Sequence, residues 1–174
     1  MDDVTRVSPT DRDVLVLTAV ELEARALARL LELARCSRFP FPVYDRPTNT
    51  GRARLRVAPL GLRAALLSER WPALVAELAS PLVISAGTCG ALAPGLEVGD
   101  LVLPESVLGP TGERLYVTPS AQQAALRRAP GAWAGLLLTS AELVGTPEAK
   151  ALRWRDNGAS AVDMESAGIL AWAS

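Results

Sequence analysis

DVLVLTAVELEARALARLLEL, residues 13–33, is where the ordered pattern of this chain begins, and its reading decides the fold class. Residues 13–19 form a short apolar run rich in β-branched and leucine side chains, which suits a strand buried on both faces. From residue 21 the period changes, so that Leu22, Ala26, Leu30 and Leu33 fall on one face of a helix expected over 21–33. A buried strand feeding straight into a helix is the unit from which α/β domains are assembled.

The same alternation continues outward. Pro40, Pro42 and Pro47 mark a loop or sheet edge, and over 52–60 Arg52, Arg54 and Arg56 alternate with Ala53, Leu55 and Val57, as in a half-exposed antiparallel strand. A helix interrupted by Pro72 is expected over 64–79, followed by a second apolar strand at 82–86, a glycine-rich loop and a further strand. The remainder reads as a strand at 113–117, a helix at 121–128, a strand at 136–139, a helix at 147–157 opening on Pro147, a strand at 161–163 and a closing helix. This order predicts a three-layer α/β/α sandwich around a central mixed, largely parallel sheet. With no repeat or shift in composition, 1–174 reads as a single domain, with residues 1–12 a frayed start.

Composition narrows the chemistry. Eighteen Lys and Arg balance nineteen Asp and Glu, so no strong field draws nucleic acid or an anionic membrane, and a small-molecule ligand is expected. Apolar runs fall far short of the roughly 20 residues a spanning helix needs, and the polar start lacks a signal layout, which points to the cytoplasm. Cys36 and Cys89 have no metal-site or redox spacing. The chain contains no histidine, which removes Ser-His-Asp hydrolysis, His-containing zinc sites and imidazole acid–base chemistry together. Catalysis here has to rest on carboxylates.

Three segments stand where a strand meets a turn, the place where open α/β sheets gather ligand groups: 18–23, 87–100 and 163–166. Gly87-Thr88-Cys89-Gly90 follows an apolar strand and offers backbone N–H groups and a hydroxyl to an anion, although it is neither a P-loop nor a dinucleotide fingerprint. Asp163-Met164-Glu165-Ser166 carries acidic residues suited either to sugar hydroxyls and a developing ribosyl cation or to capping a helix. Glu21 and Glu23 sit where first-turn carboxylates commonly serve the helix dipole.

Taken together, LVLTAVELEA, ISAGTCGALAPGLEVGDLVLPE, LLLTSAEL and AVDMESAGILA resemble, in content and order, the nucleoside phosphorylase and nucleosidase superfamily. That superfamily includes purine and uridine phosphorylases, methylthioadenosine/S-adenosylhomocysteine nucleosidases and futalosine hydrolases. The resemblance implies that Glu165 holds the ribose hydroxyls, with Met164 packing beneath the sugar. It implies that Gly87 and Thr88 contribute to the phosphate or nucleophilic-water pocket, that Glu23 activates water, and that Leu143 and Val144 line the base pocket. It also implies a nucleoside as partner, a homo-oligomer with a dimer favoured, and no cofactor; phosphate would be co-substrate in the phosphorolytic branch.

Two departures shape the expectation. Ser85 stands where hexameric phosphorylases carry a phosphate-binding arginine, which favours hydrolysis, with Arg25 and Arg63 the other candidates to deliver charge. The sequence also stops before the strand that supplies relatives with the acid that protonates the departing base, a group worth about 10²–10⁴-fold. The competing expectation is therefore a catalytically impaired nucleoside-binding or scaffold relative.

Overall fold

A computed structural model describes residues 13–46 and 54–173. The start of the chain at 1–12, Pro47, Arg52 and Ala53 lie outside the described residues. The chain divides into two compact units, with the boundary between Gly87 and Thr88.

The first unit contains β1 (Val14–Thr18), α1 (Glu21–Leu30), β2 (Ala34–Arg35), β3 (Tyr44–Asp45), β4 (Leu55–Pro59), a 3-10 turn (Leu62–Ala64), α2 (Leu67–Val75) and β5 (Leu82–Ser85). Its five-stranded sheet has the order β2-β3-β4-β1-β5. The central β1 runs parallel to both neighbours, with Val16 opposite Val57 and Ile84. Strand alternation sends Val14 and Val16 to one face, where they pack with Tyr44, Val57 and the α1 residues Ala24 and Ala28. Leu15 and Leu17, fully buried, point to the opposite face.

Three expectations change in this unit. The buried stripe of α1 is Ala24 and Ala28, with Leu27 and Leu31 partly buried, whereas Leu22 and Leu30 are 76% and 80% exposed. Alanine lets the helix backbone approach the sheet closely, so the small residues took the face that apolar counting gave to leucine. The arginine-alternating strand is not half-exposed: β4 lies inside the sheet, parallel to β1 and antiparallel to β3, and Arg56 is fully buried. Its charge is met there by Asp45, at 3.3 Å, and by the carbonyls of Leu74 and Ala76. Pro72 does not interrupt its helix but sits inside α2, which begins three residues after the 3-10 turn and is shorter than the expected 64–79.

The second unit contains β6 (Gly90–Ala91), β7 (Ser106–Leu108), β8 (Arg114–Tyr116), α3 (Pro119–Arg128), β9 (Leu136–Thr139), α4 (Pro147–Asn157), β10 (Ala161–Asp163) and α5 (Ser166–Ala173). Its sheet has the order β6-β10-β9-β7-β8, parallel at its centre and antiparallel at both edges. Leu136, Leu138 and Val162 face Trp154 of α4, while Val107, Leu137 and Ala161 face Ala167 and Leu170 of α5. Helices thus cover both faces. α4 has the limits its sequence predicts: the Thr146 hydroxyl accepts from the Ala149 amide, Pro147 occupies the first turn, and Gly158 closes it at φ 69°.

The architecture is mixed α/β, as expected, with four parallel and four antiparallel strand pairings among the described residues, distributed over two five-stranded sheets in place of one central, largely parallel sheet. No helix among the described residues is long and apolar enough to cross a membrane.

Candidate functional site

In the first unit, the carboxyl end of β1 turns into α1 through Ala19 and Val20. Glu23, three residues into the helix, reaches back so that its Oε2 accepts from the amides of Ala19 and Val20, each at 3.2 Å. Those amides have no partner within the helix, so the contact caps it and holds the carboxylate at the strand–helix corner. Gly87 lies against it after β5: a Cβ on Gly87 would stand 3.1 Å from Glu23 Oε1 and 3.3 Å from Oε2. The structure therefore brings Glu23 and Gly87 together.

Glu21 has a different role. Its carboxylate pairs with Arg25 one turn on, at 2.7 Å, and accepts from the Tyr44 hydroxyl. The Arg25 hydrogen bond holds the Glu21 carboxyl below its ordinary value. Arg25, one of the alternative cations considered for phosphate, is committed to that pair.

In the second unit, Asp163, at the end of β10, lies opposite Thr139, at the end of β9. Asp163 Oδ1 accepts from the Thr139 hydroxyl at 2.7 Å, and Oδ2 accepts from the Ser166 amide at 3.0 Å. The same threonine oxygen accepts from the Ala167 amide at 3.0 Å. Asp163 and Thr139 between them cap the start of α5. Of the two acidic residues in Asp163-Met164-Glu165-Ser166, the side chain of the first accepts an amide of α5 and that of the second accepts the amide of Met164, just before the helix. Glu165 is half-buried, its Oε2 accepts from the Met164 amide at 3.2 Å, and its carbonyl accepts from the Ile169 amide.

Thr88 and Cys89 are exposed in the loop before β6. Crowding by the surrounding protein, and then the Asp163 carboxylate, push the Cys89 thiol up from its ordinary value, away from nucleophilic thiolate character. Leu143 is 83% exposed in the β9–α4 connection, whereas its neighbour Val144 packs against the core that includes Leu138 and Trp154. The two predicted base-pocket residues thus have different surroundings.

An open cavity of about 450 Å³ lies at the carboxyl ends of β7 and β9, with Gly109, Ser140, Glu142, Arg153 and Asn157 among its walls. None of the residues given an individual role from the sequence lines it, although Leu138 to Glu142 of the LLLTSAEL segment do. Sequence reasoning also missed Thr139; the available signal was a hydroxyl residue ending an apolar strand, LLLT, parallel to the strand that carries the acidic turn. Among the described residues, no three His, Cys, Asp or Glu side chains gather in a metal-holding group.

The family model for the phosphorylase superfamily matches residues 72–174. No curated protein matches the sequence. Among solved structures, the chain is similar to the 5'-methylthioadenosine/S-adenosylhomocysteine nucleosidase of Neisseria meningitidis in complex with methylthio-immucillin-A. That match has 25% identity and a TM-score of 0.74, covering 92% of this chain and 78% of that one. It is similar to the corresponding Helicobacter pylori enzyme with butyl-thio-DADMe-Immucillin-A, at 17% identity and a TM-score of 0.75, with the same coverage. The native futalosine hydrolase of Helicobacter pylori strain 26695 matches at 16% identity and a TM-score of 0.72, over 92% of this chain and 80% of that one.

Proposed function

This chain belongs to the phosphorylase superfamily, and from that premise we propose that it cleaves the N-glycosidic bond of a purine-type nucleoside, by hydrolysis in preference to phosphorolysis. The observation that carries the reading is the division of labour at the end of β10. The Asp163 side chain accepts the Ser166 amide at the start of α5, while the Glu165 carboxylate, two residues on, lies beside Met164 and accepts its amide. Solved relatives supply the substrate class, since they are named as methylthioadenosine/S-adenosylhomocysteine nucleosidases and a futalosine hydrolase.

In this reading the bond between the ribose anomeric carbon and the base nitrogen breaks with its electron pair going to the base. The sugar becomes cationic as it breaks. Glu165 accepts hydrogen bonds from the ribose hydroxyls and stabilises the developing charge, Met164 packs beneath the ring, and water supplies the nucleophile after giving a proton to Glu23. The Gly87-Thr88 turn offers donors to that water, and Leu143 and Val144 contribute to the base site. Ser85, in place of a phosphate-binding arginine, supports water as the acceptor. The whole of 1–174 acts as one nucleoside phosphorylase-like domain of a cytoplasmic homo-oligomer, with a dimer as the favoured state, and light scattering reads that mass directly.

Incubation of the purified chain with purine nucleosides, methylthioadenosine, S-adenosylhomocysteine and futalosine among them, with and without phosphate, tests the reading through chromatography of the released base. Phosphate-independent release is expected, and Glu165→Gln should lower turnover by at least about 10²-fold. Release only with phosphate would make the chain a phosphorylase. Calorimetric binding without release from any substrate would leave a nucleoside-binding relative and remove the enzyme claim.

A further inference from the structure

We infer that Thr139 is a positioning residue for Glu165, acting through Asp163; the inference rests on the reading of Glu165 as the ribose-binding carboxylate. The Thr139 side chain is 4% exposed and ends β9, directly opposite Asp163 in the parallel β9–β10 pair. Its hydroxyl carries one proton, donated to Asp163 Oδ1 at 2.7 Å, and its oxygen accepts the Ala167 amide at 3.0 Å. The other Asp163 oxygen accepts the Ser166 amide, and the Asp163 carbonyl accepts the Ser140 amide at 2.8 Å. Residues 163–167 are consequently tied to β9 at both ends of the turn. Met164 and Glu165 are the residues between the ties.

Glu165 gains its orientation from that frame. Its carbonyl is fixed by the Ile169 amide within α5, and its carboxylate is gripped by the Met164 amide at 3.2 Å. The Met164 donor belongs to the segment that Thr139 and Asp163 hold, and the Ile169 donor follows it within α5. A side chain of the same shape without the hydroxyl would leave Asp163 Oδ1 and the Ala167 amide without this shared partner in a buried place, and the turn would relax to find others. Displacement of a binding carboxylate by about 1 Å is enough to cost on the order of 10²-fold in rate.

The test compares Thr139→Val, Thr139→Ser and the unaltered chain, each shown to be folded by circular dichroism, with two readouts. Amide hydrogen exchange is the first, and it requires no activity. Thr139→Val should speed exchange at Met164, Ser166 and Ala167, with little change in β1 or α1, and Thr139→Ser should restore protection. Steady-state kinetics on the nucleoside that the unaltered chain cleaves is the second. Thr139→Val should lower kcat/KM by about 10²-fold, and Thr139→Ser should stay within a few-fold of the unaltered chain.

If Thr139→Val exchanges uniformly faster throughout the second unit and Thr139→Ser does so too, the residue contributes packing alone and the inference is overturned. It is equally overturned if the Met164 amide keeps its protection in Thr139→Val. An unaltered chain that releases no base would defeat the enzymatic reading, and the exchange pattern would still decide whether Thr139 holds the Glu165 turn.

Discussion

At the scale of single residues, Gly87 is the sharpest test of the strand–helix corner. It is not among the glycines with positive φ, so its backbone accepts alanine without strain, and what a Cβ would meet is the Glu23 carboxylate at 3.1–3.3 Å. Gly87→Ala should therefore gain about 0.4–1 kcal/mol through the unfolded chain, offset by about 0.5–2 kcal/mol where the displaced Glu23 no longer caps α1, for a small net loss. It should also displace Glu23 and lower kcat by roughly 10–10²-fold. Thermal melts and base-release kinetics on the same preparation separate the two effects. Full activity per folded molecule, whatever the change in stability, would remove the catalytic reading of that contact. Asp163 and Glu165 teach the complementary lesson: two neighbouring acids look interchangeable in the sequence, and only the fold shows that one accepts the Ser166 amide and the other the Met164 amide.

At the scale of elements, β4 carries a fully buried guanidinium. Arg56 donates to Asp45 through Nε and Nη2 at 3.4 and 3.3 Å, donates through Nη1 to the carbonyls of Leu74 and Ala76, and stands 5.0 Å from the centre of the Phe39 ring. Removing one member of a buried pair leaves the other charge uncompensated, at a cost of about 3–5 kcal/mol. Arg56→Met should lower the unfolding free energy read from urea titration by that order, and adding Asp45→Asn should recover part of the loss by removing a buried carboxylate left with only Arg38, at 3.9 Å, as counter-charge. If the double variant is less stable than Arg56→Met alone, the pair is not what holds β3 and β4 together. The arginine period of 52–60 disclosed a strand, but burial of Arg56 depended on Asp45, eleven residues earlier and paired across the sheet. No local period contains that information. α4 is the opposite case, since Thr146, Pro147 and Gly158 set its limits through contacts within a few residues.

At the scale of the whole molecule, the charge inventory predicts the response to pH. Hydrogen bonds from Arg25 to Glu21, from Arg38 to Glu77 and from Thr111 to Glu113 lower these carboxyls below their ordinary 4.5. A carboxyl whose folded value is depressed stabilises the fold above its unfolded value, and that contribution is lost as pH falls through the folded one. Melting temperature should accordingly decline below about pH 4.5. Glu77 and Glu113 are exposed and Glu21 partly so, so screening keeps the effect modest, and added salt should weaken the two arginine pairs. The Cys89 thiol shifts the other way, above its ordinary 9.0, so its contribution is intact below that value and fades as pH rises past it. With no histidine in the chain, the melting temperature should be nearly flat from about pH 5 to 8. A step near pH 6.5 in a melting series would contradict this account.

The sequence alone determined what depends on neighbours along the chain: the alternation of strands and helices, the limits of α4, the exclusion of imidazole chemistry, and the motif order that resembles the phosphorylase and nucleosidase superfamily. Tertiary structure alone decided which face of α1 is buried, that Arg56 belongs inside, how the strands divide between two sheets, and that Thr139 meets Asp163 across twenty-four residues of chain. The reason is one of range. Periodicity and capping act over a few residues, whereas burial and hydrogen-bond partners depend on which strands come to lie side by side.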